Sequence, residues 1–271
     1  MASVLLTKRI EFSASHRYHN EAWDAARNRA VFGACNNEPG HGHNYLLEVT
    51  VSGEVDRRTG MVVNLFDLKR VLQEVLEEFD HYHLNLDTPY FKDTIPTTEN
   101  IARVLWQRLD TQKNIGRLHT IRLYEDEDLF ADITASDGLN VASITRRYQF
   151  TAVYEGESTA SGGTWSGHTW DLFVTVQGPL NRETGMVTDI AELDRVVQKK
   201  VIQLFNGQDL RKVLGIQKVT GEQLVRAIWP SSFLGEQDAS IASLRRLRPS
   251  RKTQPRYSRY RRDRRGTPLT L

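Results

Sequence analysis

Three histidines near the start of the chain have the types and spacing of metal ligands. His41 and His43 form an H-x-H pair, and His16 ends an earlier segment in which apolar and polar residues alternate. Alternate side chains of a strand point to the same face, so an H-x-H strand presents both imidazoles together. A third imidazole from a neighbouring strand gives a three-nitrogen site with an open fourth position, which is typical of catalytic zinc. Surface and capping histidines share this pattern, so the prediction depends on the surrounding residues.

Cys35 is the single cysteine of the 271 residues, and it stands six positions before His41. It cannot form an internal disulfide, which fits a reducing compartment, and we expect a cytoplasmic protein. The first twenty residues lack the apolar core of a secretory signal, and no stretch approaches the roughly 20 apolar residues of a membrane span. A lone cysteine is more often a small buried hydrophobe than a reactive group, and both interpretations stay open at this point.

The net charge of +2 is divided unevenly along the chain. Eleven of the 36 Lys and Arg residues and one of the 34 acids lie between Arg245 and Arg265, which leaves 25 bases against 33 acids before them. A folded nucleic-acid-binding face would carry its basic residues on the body of the protein, so only the tail offers a route to nucleic acid. We expect residues 249–271 to be a disordered basic tail. A shift of reading frame in the coding DNA would equally explain this change of composition.

The sequence contains an internal duplication at an offset of 125 residues. HGHNYLLEVTVSGEVDRRTGMVVNLFDL at 41–68 matches SGHTWDLFVTVQGPLNRETGMVTDIAEL at 166–193. This predicts two globular domains, residues 1–138 (the first copy) and residues 139–248 (the second copy), rather than a solenoid of shorter repeats. The second copy has Tyr154 for His16 and Ser166 for His41, and it retains only His168. We therefore expect it to be structural, supplying a sheet edge to the first copy.

The hydrophobic pattern predicts an α+β fold. Apolar alternation indicates strands around residues 10–14, 45–51, 120–124 and 129–133, and helical spacing indicates helices after Asn64 and after Thr97. The order strand, strand, helix, helix, strand, strand, with short connections, favours an antiparallel four-stranded sheet with both helices on one face. The same order recurs in the second copy, although its final strand is missing or replaced.

Five motifs carry a resemblance to a known family. They are F-S-A-S-H-R at 12–17, C-N-N-E-P-G-H-G-H-N-Y at 35–45, G-M-V-V-N-L at 60–65, D-H-Y-H-L-N at 80–85 and T-T-E-N at 97–100. Over about residues 4–135 the chain resembles the 6-pyruvoyl-tetrahydropterin synthase and 6-carboxytetrahydropterin synthase family. The resemblance implies two tandem tunnelling-fold (T-fold) domains, a Zn²⁺ cofactor, a pterin substrate and a homo-oligomer in which sheet edges join. The absence of a long apolar stretch in the sequence separately predicts no membrane partner.

The resemblance also implies roles for individual residues. His16, His41 and His43 would be the zinc ligands, Cys35 the general base, and Asp80 and His81 its partners in proton transfer. Glu125 would anchor the pterin in a pocket that is lined by Thr97, Thr98 and Glu99. Asp126 stands where the family usually has threonine, which makes this part of the pocket atypical.

Each of these roles has a structural alternative. Asp80 and His81 could simply cap the preceding helix, and Glu125 lies in an acidic run that is typical of a solvated loop. We interpret His19 and His83 as surface residues.

The implied activity is that of a zinc-dependent lyase that converts 7,8-dihydroneopterin triphosphate to 6-pyruvoyl-tetrahydropterin with loss of triphosphate, as in tetrahydrobiopterin biosynthesis. The reaction removes protons from carbon next to oxygen; zinc would stabilise the developing charge as a Lewis acid while a Cys35 thiolate takes the proton. One alternative is the 6-carboxytetrahydropterin synthase of queuosine biosynthesis. An alternative of another class is a non-catalytic pterin-binding or scaffold protein.

Overall fold

The structure is a computed structural model that describes residues 3–154, 166–216, 219–228 and 244–249. Within these ranges eight strands follow one another along the chain. They are β1 (Val4–His16), β2 (His41–Gly53), β3 (Tyr82–His83), β4 (Arg117–Tyr124), β5 (Leu129–Thr134), β6 (Val141–Tyr154), β7 (Ser166–Pro179) and β8 (Leu244–Pro249).

Helices occupy the connections between these strands. They are α1 (Ala25–Phe32), α2 (Leu65–Leu76), α3 (Leu84–Asp87), α4 (Thr98–Asp110), α5 (Ile190–Val197), α6 (Gln203–Phe205), α7 (Leu210–Leu214) and α8 (Gly221–Ile228). Short 3₁₀ turns cover Gly33–Asn36 and Pro89–Phe91, and a wider π-type turn at Gln198–Ile202 joins α5 to α6. No helix in the described ranges combines the length and apolar character needed to cross a bilayer.

The strands form one continuous sheet in the order β3-β1-β2-β4-β5-β6-β7-β8. All neighbours are antiparallel except β1 and β3, which pair in parallel over two residues. The two copies meet where β5 pairs with β6, from Leu129 opposite Arg146 to Asp132 opposite Ser143. The second copy therefore extends the sheet of the first, because β6 hydrogen-bonds to an edge that would otherwise be open.

The first copy contributes five strands to this sheet, β1, β2, β4 and β5 with β3 at the edge, where the sequence predicts four. The second copy has three strands, β6, β7 and β8, among the described residues. Pro249, the first residue of the predicted tail, is the last residue of β8. The remaining tail prediction, residues 250–271, lies outside the described residues.

Two apolar cores lie along this sheet. In the first copy, the inward side chains of β2 are fully buried and pack with those of α2 and α4; they are Tyr45, Leu47, Val49 and Val51. In the second copy, Leu172 and Val174 of β7 pack with Leu193 and Val197 of α5. Leu129 of β5 joins this second core, so the boundary between the copies is itself packed with apolar side chains.

Local capping explains where the main helices begin. The Asn64 side chain accepts the Phe66 amide at the start of α2, and the Thr97 side chain accepts the Asn100 amide at the start of α4. Both starts agree with the sequence prediction. Helix α1 was not predicted, because it lacks the apolar stripe that marks an amphipathic helix.

The duplication is visible in backbone geometry. Gly60 donates to Asp56 and Gly185 donates to Asn181, each at 2.8 Å, and the two glycines have φ values of 70° and 74°. Each glycine therefore occupies a left-handed conformation that only glycine adopts without strain. The turn that contains Gly-Met-Val therefore has the same hydrogen bond and nearly the same glycine φ in both copies.

The repeated turn of the second copy lies against the first copy. Thr97 Oγ1 donates to the Gly185 carbonyl at 2.8 Å, and the Val187 amide donates to Glu99 Oε1 at 3.0 Å. The Arg27 guanidinium also forms an ion pair with Glu183 at 2.9 Å. By contrast, nothing lies within 4 Å of a Cβ built on Gly60, whereas one built on Gly185 would overlap Asn100 Nδ2.

This difference makes Gly60 and Gly185 a matched pair for mutagenesis. Both Gly60→Ala and Gly185→Ala should lose about 1–2 kcal/mol of stability through the left-handed backbone. Gly185→Ala should lose at least about 1 kcal/mol more, because its methyl group overpacks the contact between the copies. Urea unfolding of both variants measures the difference. Equal losses would contradict the close contact at Gly185.

Candidate active site

The pairing of β1 with β2 brings three imidazoles together at one end of the sheet. His16 lies opposite His41, and Ala14 lies opposite His43. One ligand atom from each of His16, His41, His43 and Glu125 lies within 4.8 Å of all the others. His16 Nε2 is 3.2 Å from His41 Nε2, and His43 Nε2 is 3.5 Å from Glu125 Oε1. The three histidine side chains are called the imidazole cluster below, and Glu125 lies beside it.

The buried His16 ring is oriented by contacts on its other nitrogen. His16 Nδ1 lies 2.8 Å from the Pro96 carbonyl and 3.1 Å from the Tyr45 hydroxyl. A proton on Nδ1 satisfies the carbonyl and leaves the Nε2 lone pair facing the cluster, which is the arrangement of a metal-ligating histidine. Burial lowers the pKa of His16 to about 3, so the ring is neutral at physiological pH.

One buried nitrogen of the cluster lacks a hydrogen-bond partner within the described part of the chain, as a nitrogen intended for a metal would. His43 Nε2 is buried and has no hydrogen-bond partner among the described residues. A buried polar atom without a partner costs free energy unless something else binds it. Three imidazole nitrogens are ligands that suit Zn²⁺ and leave a fourth position open, so His16, His41 and His43 fit the ion that the sequence predicts.

Glu125 stands between the imidazole cluster and an adjoining cavity. Its carboxylate accepts hydrogen bonds from the Thr98 hydroxyl and, at 3.3 Å, from the Tyr18 hydroxyl. Its backbone amide donates to the Leu129 carbonyl at 3.0 Å, which fixes the turn between β4 and β5. The residue is 7% exposed, so it belongs to the site and not to a solvated loop.

The cavity has a volume of about 330 Å³ and lies where the two copies meet. The first copy contributes Cys35, Thr98, Glu99 and Glu125 to its wall, and the second contributes Arg146, Met186, Asp189 and Asp194. The side chain of Glu99 is buried, which raises its pKa to about 7, while its bond from the Val187 amide favours the charged form. The second copy thus forms part of the wall that faces the candidate catalytic residues.

Cys35 lies in the 3₁₀ turn after α1 and lines this cavity. Its carbonyl accepts the Tyr18 amide at 2.9 Å, which ties the turn to the chain leaving β1. Burial, followed by the nearby charge of Glu125, raises the pKa of the Cys35 thiol to about 11. A nearby cation is therefore required before this thiol can serve as a base near neutral pH.

Asp80 and His81 lie outside the cavity. Asp80 Oδ1 accepts the Ser13 amide at 2.8 Å, and its other oxygen lies 2.9 Å from His81 Nδ1. The His81 side chain is 80% exposed. One chain by itself does not bring this pair to Cys35.

The remaining predicted site residues are divided between the cavity and the contact between the copies. Thr98 and Glu99 line the cavity, whereas Thr97 does not and donates to Gly185 instead. His19 and His83 are half-buried rather than at the surface. His19 Nδ1 lies 2.9 Å from Asn36 Nδ2, and His83 Nε2 lies 2.8 Å from the Pro39 carbonyl.

The second copy repeats the backbone of the site without its ligands. Tyr154 lies opposite Ser166 and Ala152 opposite His168, in the register that His16 and His41 occupy in the first copy. Asn206 Oδ1 accepts the Thr151 amide at 2.9 Å, as Asp80 accepts that of Ser13. Gly207, at φ 74°, takes the place of His81 at φ 63°. Among the described residues, the imidazole cluster with Glu125 is the one group of His, Cys, Asp and Glu side chains that could hold a metal ion.

A model of the family described as 6-pyruvoyl tetrahydropterin synthase matches residues 5–136 and 144–257, which covers both copies. The chain belongs to this family. Its two matched segments agree with the duplication that the repeated turns and strand registers show.

Proteins with similar sequences or structures align with about half of this chain or less, which is the length of one copy. The human protein named 6-pyruvoyl tetrahydrobiopterin synthase is 44% identical over 124 residues, which is 45% of this chain and 86% of the relative. An Archaeoglobus fulgidus protein named putative 6-carboxy-5,6,7,8-tetrahydropterin synthase is 39% identical over 110 residues, 38% of this chain and 88% of the relative. The solved Caenorhabditis elegans 6-pyruvoyl tetrahydropterin synthase has 37% identity and a TM-score of 0.48, covering 50% of this chain and 97% of that structure.

Sequence reasoning missed the contribution of the second copy to the cavity. Met186 and Ile190 line it, and they occupy the positions of Met61 and Leu65 in the first copy. The repeat revealed this equivalence, but nothing in the sequence indicated which partner the repeated surface would contact.

Proposed function

We propose that this protein is a zinc-dependent lyase that acts on 7,8-dihydroneopterin triphosphate and releases triphosphate to give 6-pyruvoyl-tetrahydropterin. The observation that carries the proposal is the position of Glu125, which contacts both the imidazole cluster and the cavity that holds Cys35. A ligand held by this carboxylate would have its neighbouring atoms beside the cluster. Family membership and the relatives' names support the same activity.

The side chains divide the chemistry between binding and proton transfer. Glu125 accepts hydrogen bonds from the amino-pyrimidinone edge of the pterin, with Thr98 and Tyr18 holding the carboxylate in position. Cys35 takes the proton from the substrate side chain. His16, His41 and His43 would hold a zinc ion, which would supply Lewis-acid stabilisation of charge on the side-chain oxygens and a nearby positive charge that favours the Cys35 thiolate.

The second candidate product is 6-carboxytetrahydropterin, the product on the queuosine route. The Archaeoglobus relative carries this activity in its name and shares 39% identity with the chain. Both reactions use the same metal, base and substrate, so the geometry of the site supports either. A non-catalytic pterin-binding or scaffold protein would need neither the imidazole cluster nor Cys35. We also propose a cytoplasmic location, on the basis of the single cysteine.

A role of Asp80 and His81 in proton transfer would require contact with a second chain. Both residues lie outside the cavity of their own chain, so a part in proton transfer would need a cavity from another chain to approach them. We propose that the protein is a homo-oligomer that pairs through sheet edges.

The contact between the two copies indicates which surface would form this assembly. In the second copy, Ser143–Arg146 pairs with β5, and Met186, Ile190 and Ala191 pack at the cavity. The corresponding residues of the first copy are 5–8 at the edge of β1, with Met61, Leu65 and Phe66. The last three are 44%, 49% and 85% exposed. We propose that this surface docks on a second chain.

The zinc proposal makes a prediction about metal content. The purified protein should bind one zinc ion per chain at the imidazole cluster, and His43→Ala should lose it because two imidazoles bind zinc much more weakly than three. His168→Ala is the matched control, since it removes the corresponding histidine of the second copy and should leave zinc bound. Elemental analysis measures both. Retention of zinc by His43→Ala would show that the ligand set is wrong.

The lyase proposal is tested by incubating the zinc-loaded protein with dihydroneopterin triphosphate and identifying the products by mass spectrometry. The pyruvoyl product supports the first proposal and the carboxy product supports the second. Cys35→Ala should reduce turnover by at least about a hundredfold while zinc stays bound, because it removes the general base. Absence of turnover by zinc-loaded protein would contradict both activities and favour the binding protein.

The assembly proposal predicts that Phe66→Asp lowers the mass of the particle measured by light scattering, because a charge replaces an apolar side chain at the docking surface. Leu204→Asp is the control, since Leu204 is 54% exposed and belongs to the second copy, away from this surface. A monomeric wild-type protein, or an unchanged mass for Phe66→Asp, would rule out the proposed surface.

A further inference from the structure

We propose that Arg146 of the second copy binds the ring carbonyl oxygen of the pterin, so that the second copy takes part in substrate recognition. The inference rests on the proposed pterin substrate and adds a residue to that site. It replaces the expectation that the second copy is only structural.

The strand register brings Arg146 next to Glu125. Arg146 lies directly opposite Leu129 in the pairing of β6 with β5, and the Leu129 carbonyl accepts the Glu125 amide. Ile144 and Arg146 alternate along β6, so their side chains share the face that lines the cavity. Arg147 points to the opposite face, where it pairs with Asp171 at 2.8 Å.

Arg146 is the only cationic side chain among the described residues that line this cavity. The acidic residues of the same wall are Glu99, Glu125, Asp126, Asp189 and Asp194. The Tyr18 and Thr98 hydroxyls already donate to Glu125. Apart from the weak Cys35 thiol, Arg146 is therefore the side-chain donor that the wall can offer to a hydrogen-bond acceptor.

The guanidinium is held in place, but it has unused hydrogen-bonding capacity. Arg146 Nε is buried without a hydrogen-bond partner among the described residues, and it lies 3.5 Å from Asp194 Oδ1. Asp194 is fixed in turn by the Tyr148 hydroxyl at 2.8 Å. This carboxylate orients Arg146 by charge and leaves its donors available to a ligand.

The chemistry of the pterin ring fits this pair of groups. The 2-amino group and N3–H of the amino-pyrimidinone edge are donors, which suit the Glu125 carboxylate. The adjacent 4-oxo oxygen is an acceptor, and it cannot be placed against the acidic part of the wall without repulsion. A guanidinium on the neighbouring strand supplies a charge-assisted donor for that oxygen.

Two ligands that differ at this oxygen test the inference. Pterin has the 4-oxo group and a hydrogen on N3, whereas 2,4-diaminopteridine has an amino group in place of the oxygen and no hydrogen on N3, so the readout is the change that Arg146→Gln causes for each ligand. Titration of zinc-loaded wild-type protein with each ligand, followed by fluorescence, should give tighter binding of pterin. Arg146→Gln should weaken pterin binding by about ten- to a hundredfold, the loss expected for a charged hydrogen bond, and should change binding of the diamino ligand much less.

Two further variants serve as controls. Arg195→Gln removes a cation from α5 that is paired with Glu192, outside the cavity wall, and should leave both affinities unchanged. Arg146→Lys should restore part of the preference for pterin, because it returns a charged donor.

Equal weakening of both ligands by Arg146→Gln would indicate a purely structural role and overturn the inference, as would unchanged pterin binding. Wild-type protein that binds neither ligand would overturn the inference together with the pterin substrate. Pterin binding that depends on Arg146 in a protein without turnover would support the inference and contradict only the lyase activity.

Discussion

The register between β1 and β2 is the constraint on which the rest of the structure depends. His41 and His43 continue the same face of β2 that buries Tyr45, Leu47, Val49 and Val51, so the imidazole cluster is the polar end of an apolar core. A slip of one residue would turn every side chain of β2 to the other face. Burial of the apolar residues therefore fixes the register, and the register fixes the imidazoles opposite His16.

The second copy has the fold of the first copy but not its full set of candidate metal ligands. Its strands keep the register of the first copy, its Gly185 turn keeps the hydrogen bonds of the Gly60 turn, and Asn206 keeps the backbone contact of Asp80. These features serve folding. The second copy has Tyr154 and Ser166 where the first has His16 and His41, and its strands keep their register with these different side chains.

The repeated turn and the first strand of the second copy both contact the first copy within the same chain. Met186 and the Val187 amide lie against the first copy, and β6 closes the edge of β5. The cavity beside Glu125 is therefore built from both copies, even though the imidazole cluster belongs to one. In this family member the matched segments fill 5–136 and 144–257 of a single chain, whereas the human relative aligns with 45% of it.

The sequence by itself determined the duplication, the first-copy strands, the caps at Asn64 and Thr97, and the grouping of His16, His41 and His43. These follow from periodicity and from turn or capping chemistry, which act between residues close in the chain or through a fixed strand period. Only the tertiary structure decided that Asp80 and His81 lie outside the cavity, that Thr97 contacts Gly185, and that Arg146 faces the space beside Glu125. Those positions result from packing between elements that are not neighbours in the chain, such as Thr97 and Gly185, which are 88 residues apart, and no local pattern encodes which surfaces will meet.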